Sequence, residues 1–200
     1  MAKTNRCGKS AVLSHQQLEM VIASLPEKYS LLAESLYYTA GRVSEIVSLK
    51  VCNIHFEEEL IVIEKSTTKT KQTRCVPMPK TILKNLREWI HRNNLEAGDY
   101  IFFTNSRNCK SPAGKRHLTT QAVDTIFRHT FDYAGIKGAS THSFRRSRLT
   151  NLHIAEKWSL REIMDISGHK NLLSLQQYLD TDRNNTFEKY RQLFKKEGVA

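Results

Sequence analysis

Between Lys50 and Pro79 the chain changes texture, and that change restricts the folds open to it. Residues 51–55, 60–64 and 73–77 are short runs of strand type, the middle one Leu60-Ile-Val-Ile-Glu64. Pro77 and Pro79 close the set, because proline has no amide hydrogen to give to a ladder. The stretch from Lys65 to Arg74 is polar, basic and rich in threonine, which predicts a hairpin with an exposed, mobile tip. On both sides the apolar spacing is helical. Ser14 is placed to cap a run through Gln17-Leu18-Glu19-Met20-Val21-Ile22, and Leu31, Leu32, Leu36 and Tyr37 predict a helix over 27–40. Gly41 interrupts it, and a short helix follows from Val43 to Leu49 with Ile46, Val47 and Leu49 inward. After the sheet, helices are expected over 80–93, from a Thr119 or Thr120 cap to about 134, and over 142–155, 159–167, 171–180 and 184–196. Residues 98–118 read as irregular around Tyr100-Ile-Phe-Phe103. The expectation is an α+β fold, mostly α-helical, with a small three-stranded antiparallel sheet. A basic flexible arm (1–12) precedes the main domain (13–182), and a tail helix (183–200) follows it.

Two hundred residues suffice for one domain with a sizeable core. No run approaches eighteen apolar residues, and the N-terminus lacks the apolar stretch of a signal peptide, so no membrane partner and a cytoplasmic location are expected. Thirty-one basic against twenty acidic residues leave a formal charge of +11. Such a surplus favours a polyanionic partner, usually nucleic acid, although it supplies only the salt-sensitive part of binding. Cys7, Cys52, Cys75 and Cys109 are scattered without zinc-ligand spacing and read as reduced thiols, mostly packing residues.

The chemistry-bearing residues gather late in the chain. His142 and Arg145 are three apart on one helix face, His169 follows Gly168, and Tyr178 lies nine places further on. Breaking a phosphodiester without metal needs fixed cations for the anionic oxygens, and guanidiniums serve best, being planar and always charged. A tyrosine oxygen can be the nucleophile, a lysine can protonate the departing alkoxide, and histidines can move protons. No cluster of carboxylates for Mg²⁺ stands beside these groups, so no cofactor is expected.

The order of these candidates resembles the tyrosine recombinases, or phage-type integrases, from about residue 12 to about 182. Thr39-Ala-Gly-Arg42-Val-Ser-Glu45-Ile resembles the first arginine motif, and Thr68-Lys69-Thr-Lys-Gln-Thr-Arg74-Cys-Val-Pro77 the lysine-bearing β-turn. Thr141-His142-Ser-Phe-Arg145-Arg resembles the His-x-x-Arg motif, and Ser167-Gly168-His169 the Leu-Gly-His box, with Tyr178 at the place of the nucleophile. Each piece alone is weak, since Arg42 or Arg145 could be a surface salt bridge and His169 a capping or core residue. Five in order are strong. The resemblance implies that Arg42 and Arg145 bind the scissile phosphate, that Glu45 supports the site, and that His142 and His169 assist it. It implies Lys69 as the acid, with Lys65 and Lys71 as alternatives. Tyr190 is the rival tyrosine nearest to Tyr178 and reads as apolar packing with Phe187 and Phe194, while Tyr29, Tyr37, Tyr38, Tyr100 and Tyr133 read as core or interface residues. In two places the chain departs from the family pattern: Arg146 stands where histidine is frequent, and Ser167 replaces the leucine.

By resemblance the activity is site-specific DNA recombination through a 3′-phosphotyrosine, whether integration, excision, inversion or resolution. The partners implied are double-stranded DNA, further copies of the chain as dimer to tetramer, and accessory DNA-bending proteins. An inactive DNA-binding regulator on the same fold and a type IB topoisomerase are the competing readings. Most family members carry a further helical domain before the catalytic one, whereas here the pattern starts almost at once. A separate catalytic domain or a minimal recombinase would both fit, and Met1 together with the run beyond the tyrosine favours the minimal form. The tail helix is expected to pack either on a neighbouring protomer or on its own domain.

Overall fold

The computed structural model describes residues 9–67, 72–104, 116–179 and 183–196. Helices α1 (His15–Ala23), α2 (Glu27–Tyr38) and α3 (Val43–Val47) come first. Ser14 caps α1, accepting from the Gln17 amide while the Gln17 side chain accepts from the Ser14 amide. Leu31, Leu32 and Leu36 of α2 and Ile46, Val47 and Leu49 around α3 are all buried, as their spacing predicts.

The sheet follows in the order β1 (Ile54–His55), β2 (Leu60–Ile63), β3 (Arg74–Pro77), antiparallel throughout, with Ile61 opposite Val76 and Ile63 opposite Arg74. The first strand is shorter than the expected 51–55, because Val51–Asn53 form a 3₁₀ turn. There the Asn53 side chain accepts from the Lys50 amide, and the Val51 and Cys52 amides donate to the Asp99 and Ala97 carbonyls. These backbone groups are thus satisfied by a loop, leaving two residues to pair with β2. The strand β3 alternates inward and outward, which buries Arg74 and Val76 and turns Cys75 out.

Helices α4 (Lys80–Arg92), α5 (Thr120–Tyr133), α6 (Thr141–Ile154), α7 (Leu160–Ser167), α8 (Leu172–Gln176) and α9 (Arg183–Lys196) complete the chain. The main core runs from α1 through the sheet to α5 and α6, where the rings of Phe127, Phe131 and Phe144 pack edge-on or tilted with centroids 5.1–6.5 Å apart. A second cluster, Ala40, Leu149, Leu152, Ile163, Leu175 and Leu179, joins α6, α7 and α8. Burying a leucine of this kind contributes about 1.5–3 kcal/mol.

Several expectations are corrected. The end of the basic arm is fastened rather than free: the Ala11 amide donates to the Gly138 carbonyl, Ser10 and Ser140 share a hydroxyl hydrogen bond of 2.7 Å, and the Leu13 amide donates to Ser147 Oγ. Residues 1–8 lie outside the described residues. Cys52 and Cys75 are exposed thiols, not packing residues, and Cys7 and Cys109 fall outside the description. Tyr133 stands 88% exposed at the end of α5 and belongs to no core. Tyr190 does meet Phe194, at 4.8 Å between centroids, but the apolar face of α9 is open to solvent. Helix α8 stops at Gln176 rather than reaching 180, because the Tyr178 and Leu179 amides bond three residues back and tighten the turn.

Candidate active site

The turn before α3 shapes one wall of the site. Ala40 is buried with φ 46°, a conformation that costs a residue bearing a Cβ about 1–2 kcal/mol. The strain turns the Ala40 carbonyl onto the guanidinium of Arg145, which donates to it through Nη1. Next to it, a Cβ on Gly41 would lie 2.6 Å from the side chain of Ile46, so only glycine fits between the turn and the core.

Arg145 descends from the first turns of α6 and is wholly buried. Its Nη2 donates to the Ser167 carbonyl at 3.0 Å and faces the His169 ring, 3.0 Å from Nε2. Gly168 makes that approach possible by ending α7 in the left-handed region, φ 68°, with its amide returned to the Met164 carbonyl. The hydroxyl of Ser167 lies 2.6 Å from His169 Nδ1 and fixes the plane of the ring. Leucine at this position could not do so. Burial, and then the charge of Arg42, lower the Arg145 guanidinium to about 9. Burial followed by the charges of Arg145, Arg42 and Arg74 lowers His169 to about 3, so its ring is neutral at ordinary pH. The field here is positive and favours an anion.

A second group of charges lies on the other side. Arg42 opens α3, and Glu45 reaches back to it, accepting from the Arg42 amide at 3.0 Å and from Nη1 at 2.7 Å. Glu45 is itself buried, and its other strong partner is Arg74 of β3, whose Nη2 donates to Oε2 at 2.7 Å. Burial alone would raise the Glu45 carboxyl, but the charge of Arg74 and hydrogen bonds from both arginines outweigh it and hold the group below the usual carboxylate range. Among the described residues of this cluster, three guanidiniums face one carboxylate, a surplus of positive charge suited to a phosphate and its more highly charged transition state.

Tyr178 sits two residues beyond α8, half-buried against the second core cluster. Thr150 donates to its carbonyl at 3.3 Å, and its own amide donates to the Leu175 carbonyl at 2.8 Å. Its ring lies 5.1 Å from that of His169 and 6.5 Å from that of His142, while the Arg145 guanidinium carbon is 5.2 Å from the ring centre. His142, on the exposed side of the α6 N-terminus, lines a cavity of about 310 Å³ with Lys9, Ser10, Arg146, Gln177 and Tyr178. Tyr190 is on α9, where its ring meets that of Phe194.

Five of the sequence-derived residues thus come together: Arg42, His142, Arg145, His169 and Tyr178, with Glu45 supporting Arg42. Lys69 and its alternative Lys71 lie outside the described residues, whereas Lys65 is described at the hairpin, where its amide donates to Thr73 Oγ1 at 3.1 Å. Sequence reasoning passed over Arg74 and the bond from Ser167. The strand alternation carried a signal for the first, since Arg74 falls two residues before inward Val76. Among the described residues no group of three or more His, Cys, Asp or Glu side chains could hold a metal ion, and no helix is long and apolar enough to cross a membrane.

The chain is 27% identical over 169 residues to the tyrosine recombinase XerA of Thermococcus onnurineus, covering 83% of this chain and 56% of that one. It is 29% identical to the tyrosine recombinase XerC of Chlamydia caviae, covering 80% and 51%. It therefore spans little more than half the length of these relatives. A crystal structure of XerA recombinase superposes with a TM-score of 0.75 at 23% identity, covering 93% of this chain and 66% of that chain. A Tn1549 transposon integrase in complex with a circular intermediate DNA gives 0.73 at 15% identity, covering 93% and 67%. The family model described as the phage integrase family matches residues 11–185, and the chain belongs to that family.

Proposed function

We propose that this protein is a site-specific DNA recombinase that cleaves and rejoins one strand at a time through a 3′-phosphotyrosine. The observation that carries the reading is the placement of Tyr178 beside His169, His142 and the buried Arg145 of its own chain. In the proposed step Tyr178 Oη forms a bond to phosphorus as the bond to the 5′ oxygen breaks. Arg42 and Arg145 bear the charge on the non-bridging oxygens, and His169 adds a hydrogen bond to them. His142 takes part in moving the tyrosine proton, and Lys69 protonates the departing 5′ oxygen. The phosphotyrosine conserves the bond energy, so a 5′ hydroxyl reverses the step without ATP or a cofactor.

Recombination joins two duplexes and needs several protomers. The open apolar face of α9, with Phe187, Tyr190, Leu193 and Phe194, suits a neighbouring copy on DNA. That arrangement would raise a modest single-site affinity by avidity.

The test starts with duplexes selected from a random pool, then placed in a nicked substrate whose cleaved fragment diffuses away. The expected product is a protein–DNA adduct that survives denaturant, absent in Tyr178→Phe. An adduct that persists in that variant removes Tyr178 as nucleophile. Specific binding with no adduct would instead indicate a regulator, and relaxation of plasmids lacking paired sites a topoisomerase.

A further inference from the structure

Arg74 is not one of the residues that the family resemblance assigned to the chemistry, yet it is built into the phosphate site. It leaves β3 on the inward face with 7% of its surface exposed, and it forms the strong bond to Glu45 Oε2. Its Nε and Nη1 are buried without a hydrogen-bond partner among the described residues. Arginine at such a position is costly, because a buried donor left unpaired loses its hydration. The guanidinium also packs on Gly168, where a Cβ would come within 3.2 Å of Nη1, and it lines a cavity of about 670 Å³ with His169, Lys170, Gln72 and Thr73. It therefore spans from the carboxylate behind Arg42 to the turn that presents His169.

The electrostatic reason follows from Glu45. This carboxylate is buried and ionised, and it holds Arg42 by both its backbone and its side chain. Were Arg42 its sole partner, the pair would be nearly neutral, and the guanidinium that faces the substrate would be committed to its own carboxylate. Arg74 supplies a second positive charge to the same group. Arg42 is then oriented by Glu45 without being cancelled by it.

We propose that Arg74 is a positioning residue for strand cleavage: by sharing the charge of Glu45, it keeps the Arg42 guanidinium available to the scissile phosphate. This rests on the recombinase reading above. In Arg74→Met the whole charge of Glu45 falls on Arg42. Cleavage should slow by about 10–100-fold while DNA binding, made through many phosphates, stays within about threefold. Adding Glu45→Gln to Arg74→Met removes the carboxylate as well and should restore at least tenfold of the lost rate. Arg74→Lys, which retains the charge, should stay near the wild type.

The experiment measures single-turnover cleavage and dissociation constants on the nicked duplex carrying a site recovered from the random pool, with melting curves for each variant. An Arg74→Met protein that cleaves like the wild type overturns the proposal. So does a double variant no faster than Arg74→Met, and so does a rescue that only follows a recovered melting temperature, since neutralising Glu45 would also relieve a fold burdened by an unpaired buried carboxylate. Should Arg74→Met fail to fold, Arg74→Gln with and without Glu45→Gln makes the same comparison, because glutamine can still donate to Glu45. A wild-type chain that forms no adduct overturns the recombinase reading itself, which separates the two failures.

Discussion

The two halves of the site are constructed in opposite ways. On the phosphate side, Arg145, Glu45, Arg74 and His169 are buried and tied to strained turns, carbonyls and one another. On the side of the proposed nucleophile, Tyr178 follows a five-residue helix, rests on a small leucine cluster and faces His142 across an open cavity. The difference fits what each half would do in the proposed reaction. Charges meant to stabilise a transition state work best when they need no rearrangement during the reaction. A tyrosine that attacks, stays attached to the DNA and is later displaced must have room to move with its strand. Tyr178 packs against the second core cluster, which is smaller than the first.

That contrast can be broken by substitution. Tyr178→Phe should have the largest effect on chemistry, abolishing the covalent adduct, with a change in stability of no more than about 1 kcal/mol. Arg145→Met should lower the cleavage rate by about 10²–10³-fold or more. Its melting temperature should hold or rise, because removing a charge buried among other cations offsets the hydrogen bonds lost. A clear fall in melting temperature would show that the interior cluster is there for the fold rather than for an anion. Ser167→Ala should cost about 1 kcal/mol and slow cleavage roughly tenfold, by freeing the His169 ring. Ser167→Leu should slow it as much, although leucine is the family's usual residue.

The smallest effect is on pH dependence. His169 titrates near 3 in the folded protein, against about 6.5 in an unfolded chain. Between those values the unfolded state binds more protons, so stability is full above about pH 6.5 and declines as pH falls toward 3. Glu45 adds to the loss at the acid end, as its carboxylate is held below the ordinary range. A His169→Asn variant should show a flatter decline in urea melts across the same window. Binding of inorganic phosphate should move the His169 midpoint upward in proton NMR titrations, since an anion offsets the field of Arg145, Arg42 and Arg74.

Much of this was legible before the structure. Ser14 and Thr119 cap helices as the residue types predict, because a cap depends on a backbone amide three residues away. The strand-type runs at 60–64 and 73–77, closed by Pro77, placed two strands almost to the residue. The 51–55 run misled, since its backbone partners, Ala97 and Asp99, lie more than forty residues further along the chain. Cys52 and Cys75 misled for a similar reason: a small apolar residue takes whichever side its neighbours leave.

The sequence by itself determined the inventory of the site, its order along the chain and the helices that carry it, because motif and periodicity are local properties. Only the tertiary structure decided which charges are buried and what each one faces. The carbonyl of Ala40 meets Arg145 across 105 residues, and Arg74 meets Glu45 across 29. Burial and charge pairing arise from elements distant in the chain, and they settle whether an arginine is a surface residue or part of a buried cationic cluster.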